Sequence, residues 1–225
     1  MKQEAKFNEV WERRSEPPYV TESWVDNDWA KGRTDWLTFL IRVKDKKIIN
    51  QIQKVQDELT RFDCIEIFPE EYFHITIKEL AFLVKEKQHP DEITNEELQT
   101  FIMSVQEKIT DLKPFEIELM NLNNFKSTVC VEGRDGEVIN NINGTILAID
   151  GVQRYKHDYP GFLPHLSVAQ YKNTEDFEEL IEYLELMRDT HIGTLIVDSF
   201  ELVIAELPVK ERYPKLKPLH TFQLT

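Results

Sequence analysis

No run of eighteen or more apolar residues occurs in the 225-residue chain, which excludes a hydrophobic helix of the length that crosses a bilayer. The opening stretch, MKQEAKFNEVWERRSEPPYV, has none of the apolar core of a secretory signal, so the expectation is a soluble, cytoplasmic protein. Cysteine is scarce. Cys64 and Cys130 each fall in an apolar, strand-like run, and the expectation is two buried free thiols rather than a disulfide framework or a zinc cluster. Positive charge is scarce too: 27 Lys and Arg stand against 41 Asp and Glu, a formal net charge of −14. Gripping a long phosphate backbone needs clustered cations, so long nucleic acid is not an expected partner. A small nucleotide or short RNA in a locally basic cleft remains compatible with that charge.

Apolar residues make up 41% of the chain, with 13 Phe, enough for one large domain or two small lobes sharing a sheet. Residues 1–34 differ from the rest. They hold Trp11, Trp24, Trp29 and the pair Pro17-Pro18 with little period, and read as an N-terminal extension packed over a main domain of 35–225. A lid or stacking wall is the other reading. From there, DWLTFLIRV (35–43) predicts a strand. Ile48, Ile49, Ile52, Val55 and Leu59 at helical spacing, after Asp45 as N-cap, predict a helix. CIEIF and HITIKELAFL alternate as strands do, and Thr94 with Glu97 forms a capping box for a helix reaching about Leu112. The second half repeats this grammar. FEIELMNLNNF and STVCVEG read as paired strands, residues 136–152 as a helix, and YKHDYPGF as a turn-rich loop before the strand PHLSVAQY. The run TEDFEELIEYLELMRD reads as a helix capped by Thr174, with Phe177, Leu180, Ile181, Leu184 and Met187 inward, and the closing strands are GTLIVDSFELVIAEL and LHTFQLT. An α+β chain of two similar lobes follows.

Each lobe delivers a histidine two residues before a hydroxyl: His74 with Thr76, and His165 with Ser167. Six His and 21 Ser plus Thr in 225 residues give roughly 0.6 such triplets by chance. Two occur, both at strand starts. Strand alternation sends Ile75, Ile77, Leu166 and Val168 to one side, and each imidazole with its hydroxyl to the other. Two such strands facing one cleft supply two imidazoles, whose ordinary pKa near 6.5 suits them to divide acid and base work near neutrality. The hydroxyls can donate to phosphate oxygens, an arrangement suited to phosphodiester cleavage without metal. Two histidines with His157 as the nearest third candidate fall short of a zinc site, which takes three protein ligands. No Gly-x-Ser-x-Gly elbow surrounds Ser167 or Thr76.

The duplicated motif, HITI (74–77) and HLSV (165–168), resembles that of the 2H phosphoesterase superfamily, nearest its 2′-5′ RNA ligase and 2′,3′-cyclic phosphodiesterase-like branch. The run FPEEYFHITIKEL, Pro164 before His165, and the closing ERYPKLKPLHTFQL with Tyr213 add to the resemblance, which spans about 35–225. It implies a bilobal, pseudo-twofold α+β fold, two antiparallel-sheet lobes with outer helices around a central cleft. It also implies His74 and His165 as general acid and base, with Thr76 and Ser167 gripping the phosphate. The implied enzyme is a hydrolase of 2′,3′-cyclic phosphate or 2′-5′ bonds. Apart from the resemblance, no metal or other cofactor, no membrane partner and a monomeric state are expected. A module that binds nucleotide or RNA ends without turnover is the alternative. Many ligase-like members carry an arginine where this chain has Gln170. Lys78 is a candidate phosphate contact if no bulge turns it off the histidine face. Tyr72, Phe162, Tyr171 and Tyr213 are candidates to stack a base, a contact of about 1–3 kcal/mol.

Overall fold

Local signals fix several elements. In the computed structural model, which describes residues 2–20, 27–210 and 213–225, strand β1 (Asp35–Arg42) leads into helix α3 (Lys46–Leu59). Asp45 accepts from the backbone N–H of Lys47 and Ile48, which satisfies two of the donors a helix start leaves open. Helix α4 (Asn95–Lys108) begins at the reciprocal capping box of Thr94 and Glu97 and ends four residues before the expected Leu112. Helix α6 (Phe177–Leu186) departs from expectation. Its N-cap is Asp176, in a left-handed conformation and without a side-chain cap bond. That carboxylate instead accepts from Asp63 N (2.6 Å) and Cys64 N (2.9 Å), tying the helix start to another part of the chain. Met187 is half-exposed rather than inward.

Among the described residues ten strands form one sheet. Along its main path lie β10 (Leu216–Gln223), β9 (Ser199–Glu206), β1, β3 (His74–Val84), β7 (His165–Tyr171), β6 (Thr128–Arg134), β5 (Phe115–Phe125) and β8 (His191–Val197). Strand β2 (Ile65–Ile67) pairs with β7, and β4 (Glu92–Thr94) runs parallel to β3; the other pairings are antiparallel. The two lobes, β10-β9-β1-β3 and β7-β6-β5-β8, are therefore joined edge to edge. The seam between the central strands is narrow, with Ile75 facing Leu166.

The two faces of this sheet differ. Leu37, Phe39 and Ile41 of β1, Ile75 and Ile77 of β3, Val129 and Val131 of β6, and Leu166 and Val168 of β7 join one buried cluster with Ile48, Ile52, Leu98, Phe101, Leu180 and Leu184 from α3, α4 and α6. Alternation sends the polar partners of those residues to the opposite face. Helix α5 (Val138–Leu147) packs against β3, where Asn143 Nδ2 donates to Ile77 O at 2.8 Å. Cys64 and Cys130 are free and buried.

The N-terminal residues hold structure that their sequence did not announce. Helix α1 (Lys2–Glu12) lies on the second lobe, its Phe7 fully buried and Gln3 Nε2 donating to Asp135 at 2.9 Å. Beyond it, Arg14 O accepts from Asn124 Nδ2 (2.6 Å) and Tyr19 N donates to Lys126 O (2.6 Å). After the short α2 (Asn27–Ala30), Trp29 packs on Trp36 and Phe82 at ring distances of 4.7 and 4.8 Å. Trp11 lies under the Arg14 and Arg188 guanidinium groups. These two tryptophans serve packing; Trp24 lies outside the described residues. Among the described residues no helix is long and apolar enough to cross a membrane.

Candidate active site

The antiparallel pairing of Ile75 with Leu166 is the only step of register the two motif strands share. Carried one residue either way, it sets His74 across from Ser167 and Thr76 across from His165, all four on one face. The strands flanking this seam repeat the arrangement. Val43 N donates to Phe73 O (3.0 Å), the carbonyl just before His74, and Gly133 N donates to Pro164 O (2.9 Å), the carbonyl just before His165. Gly133 fits that role because a side chain there would meet Pro164 O at 3.1 Å. The cross-strand partner of His74 is Arg42, and that of His165 is Glu132.

Both imidazoles are oriented in the same way. His74 Nδ1 lies 2.6 Å from Tyr72 O and His165 Nδ1 lies 2.8 Å from Leu163 O, each the carbonyl two residues back. A carbonyl can only accept, so each Nδ1 carries the hydrogen, and the lone pair of each neutral ring is on Nε2. Burial disfavours the charged form of His74 and pushes its pKa down to about 4; the Tyr72 carbonyl works against this, while Arg42 and His165 add to it. The pKa of His165 is also lowered, chiefly by burial, with the Leu163 carbonyl opposing and His157 adding. The Phe125 ring lies 4.5 Å from the His165 ring, which contributes to that burial while both histidines keep part of their surface exposed.

The candidate substrate contacts divide. Tyr72 is buried in the short helical turn Glu70–Tyr72 and sets its ring edge-on to His74 at 4.8 Å, with Phe68 at 4.8 Å and Tyr213 at 5.2 Å around it. It backs the histidine, and Tyr213 backs Tyr72. Phe162 is buried in the core cluster. Tyr171 is fully buried, with its hydroxyl donating to Asn124 Oδ1 at 2.6 Å and its ring on Phe177. Neither Phe162 nor Tyr171 has a face open to a base.

Lys78 is corrected most clearly. Phe39 faces Lys78 but Leu40 faces Thr76, so Ile77 is an extra residue in β3. This bulge turns Lys78 off the face of His74 and Thr76. The ammonium is completely buried, 3.0 Å from the equally buried Asp158 carboxylate and 4.3 Å over the Tyr155 ring. It ties the first motif strand to the loop that runs into the second motif.

Several residues that sequence reasoning passed over stand beside the pair. Arg42 Nε donates to Glu201 Oε2 at 3.0 Å, and Lys44 reaches the same carboxylate at 2.9 Å. In the other lobe the buried Glu132 takes Arg134 (3.0 Å), Arg188 and Asn123 Nδ2 (2.7 Å). Asn123 Nδ2 also lies 3.2 Å from Phe7 O, which places α1 on the histidine face of the second lobe. Among the described residues no group of three or more His, Cys, Asp or Glu is arranged to hold a metal ion.

Residues 43–206 match the family model of the 2′-5′ RNA ligase superfamily. Comparison with curated protein sequences gives no match. Among solved structures, TT0787 of Thermus thermophilus is similar at 17% identity and a TM-score of 0.61, over 84% of this chain and 97% of that one. E. coli LigT in apo form gives 13% identity and a TM-score of 0.60, over 86% and 99%. LigT complexed with 3′-AMP gives 14% and 0.60, over 86% and 99%. At such identity these likenesses establish a shared fold, the bilobal arrangement the motifs implied.

Proposed function

The chain belongs to the 2′-5′ RNA ligase superfamily of 2H phosphoesterases, and from that premise we propose that it is a metal-independent phosphodiesterase acting on a 2′,3′-cyclic phosphate or 2′-5′ bond in a small nucleotide or short RNA. One observation carries the reading: two histidines in matched settings, each with Nδ1–H spent on the carbonyl two residues back and Nε2 left for chemistry, each across the seam from the other motif's hydroxyl. A module that merely binds phosphate has no need of two basic Nε2 atoms. The solved complexes of LigT with 3′-AMP and ATP support a nucleotide as the ligand class.

In the proposed hydrolysis a neutral Nε2 takes a proton from water as the water oxygen forms a bond to phosphorus. The bond from phosphorus to one ribose oxygen breaks, and the other histidine, protonated at Nε2, gives its proton to that oxygen. One proton is gained and one lost across the pair, and exchange with solvent resets it. Thr76 and Ser167 donate to the non-bridging oxygens. Positioned proton transfer of this kind contributes about 10²–10⁴-fold in rate.

The test is incubation of EDTA-treated protein with a 2′,3′-cyclic nucleotide and with a 2′-5′ dinucleotide, followed by chromatography of the products. Turnover in EDTA supports the reading, and the isomer formed identifies the oxygen that leaves. A protein that binds both compounds and converts neither contradicts it.

A further inference from the structure

A protein of net charge −14 must hold its anionic ligand against its own field, so a cation has to stand where the phosphate sits. Among the described residues three arrangements place basic side chains close to the two motif histidines, and two of them are already committed. Lys78 is sealed in its pair with Asp158. Arg134 and Arg188 converge on the buried Glu132, and the Trp11 ring of α1 covers Arg188 at 4.6 Å. The third is Arg42.

We propose that Arg42 is the phosphate-binding cation of the cleft, gripping a non-bridging oxygen of the group held between His74 and His165. This rests on the reading of the cleft as a phosphoester site. Arg42 is the direct cross-strand partner of His74, so the two side chains leave the same face with Cβ atoms about 5 Å apart. Three acceptors fix its guanidinium: Glu201 Oε2 at 3.0 Å, Glu71 O at 3.1 Å and Leu216 O at 3.4 Å. These use three of the five N–H groups of the planar fork, so among the described residues two remain for a ligand. The one carboxylate in the group does not cancel it, because Glu201 is shared with Lys44 at 2.9 Å. Two cations to one carboxylate leave one positive charge. The depressed basicity of His74, to which Arg42 contributes, shows the same guanidinium within electrostatic reach of the imidazole. Arg42 also lies one residue outside the stretch that matches the family model, so its role is read from this chain's own geometry.

The experiment uses the full chain and inorganic phosphate as the probe, with affinity measured by calorimetry beside KM and kcat on a 2′,3′-cyclic nucleotide. Arg42→Met is expected to weaken phosphate binding and raise KM by roughly 10- to 100-fold, with kcat changed much less, and Arg42→Lys to recover part of the loss. Since Arg42→Met leaves Glu201 with Lys44 alone, the variant Arg42→Met/Glu201→Gln keeps the local charge balance and decides the matter if the single variant fails to fold. A folded variant that binds phosphate as the natural chain does overturns the proposal, as does a natural chain that binds no phosphate. Phosphate binding that depends on Arg42 in a protein that turns over no phosphodiester sinks the functional reading and leaves this one standing. Turnover indifferent to Arg42 does the reverse.

Discussion

His74 and Ser167 face each other across the seam of the sheet, and so, with the roles exchanged, do His165 and Thr76, because Ile75 and Leu166 pair in antiparallel register. Antiparallel pairing of two copies of one short motif generates a local twofold relation without further design. On the proposed function, a tetrahedral phosphorus between the strands would meet one imidazole and one hydroxyl from each side. The matched carbonyl contacts to Nδ1 follow from the same repetition, since each segment enters its motif strand through a residue bonded to the neighbouring strand.

The pH dependence follows from burial. In the free enzyme His74 stays neutral down to about pH 4, and the pKa of His165 lies below its ordinary value. On the proposed mechanism a neutral base is thus present above about pH 4, while the protonated acid is already lost below the ordinary imidazole range. The log of kcat/KM, which reports the free enzyme, is expected to be highest on the acid side of neutrality and to fall as pH rises through 7. A profile that rises through pH 7 contradicts the assignment of two imidazoles of lowered pKa. Phe125→Ala, which opens His165 to water, should move the descending limb upward.

The same shift acts on stability. Between pH 6.5 and about 4 the unfolded chain binds a proton on His74 that the folded chain does not, so folding weakens as pH falls through that window. With allowance for partial exposure the loss is on the order of 2 kcal/mol. Urea unfolding of His74→Asn against the natural chain should show a shallower slope there; equal slopes contradict it.

Lys78 behaves as an anchor. Lys78→Met leaves the Asp158 carboxylate buried without its cation, and the expected cost is about 3–5 kcal/mol in urea unfolding. Lys78→Met/Asp158→Asn should recover much of it. A Lys78→Met protein of natural stability contradicts the buried pair seen at 3.0 Å.

The N-terminal helix is held by its own buried side chain. Phe7 has no exposed surface, and Phe7→Ala should destabilise by about 3–5 kcal/mol. A loss below about 1 kcal/mol in urea unfolding argues that α1 does not pack on the second lobe.

What was legible in the sequence was local or periodic. Asp45 and the Thr94–Glu97 pair announce helix starts because the bonds they make span two or three residues. The two motif strands declared their histidine face by simple alternation. The misread features are non-local. One inserted residue, Ile77, turned Lys78 away from the cleft, and nothing in the run HITIKEL marks a bulge. Asp176 displaced Thr174 as the cap because its carboxylate serves Asp63 and Cys64, over a hundred residues away. Arg42 and Glu132 went unnoticed since their place beside the histidines is set by strand order. Helix α1 was missed because its inward side is short and mixed, with Gln3, Phe7 and Trp11 spaced at four and four.

Whether the two histidines act as one acid–base unit is decided by a double-mutant cycle on kcat with a 2′,3′-cyclic nucleotide in EDTA. His74→Asn and His165→Asn are each expected to lose about 10²–10⁴-fold, and the double variant little more than either single one, since residues that act as a unit are strongly non-additive. Losses that multiply, or a single variant that keeps the natural rate, rule out such a unit.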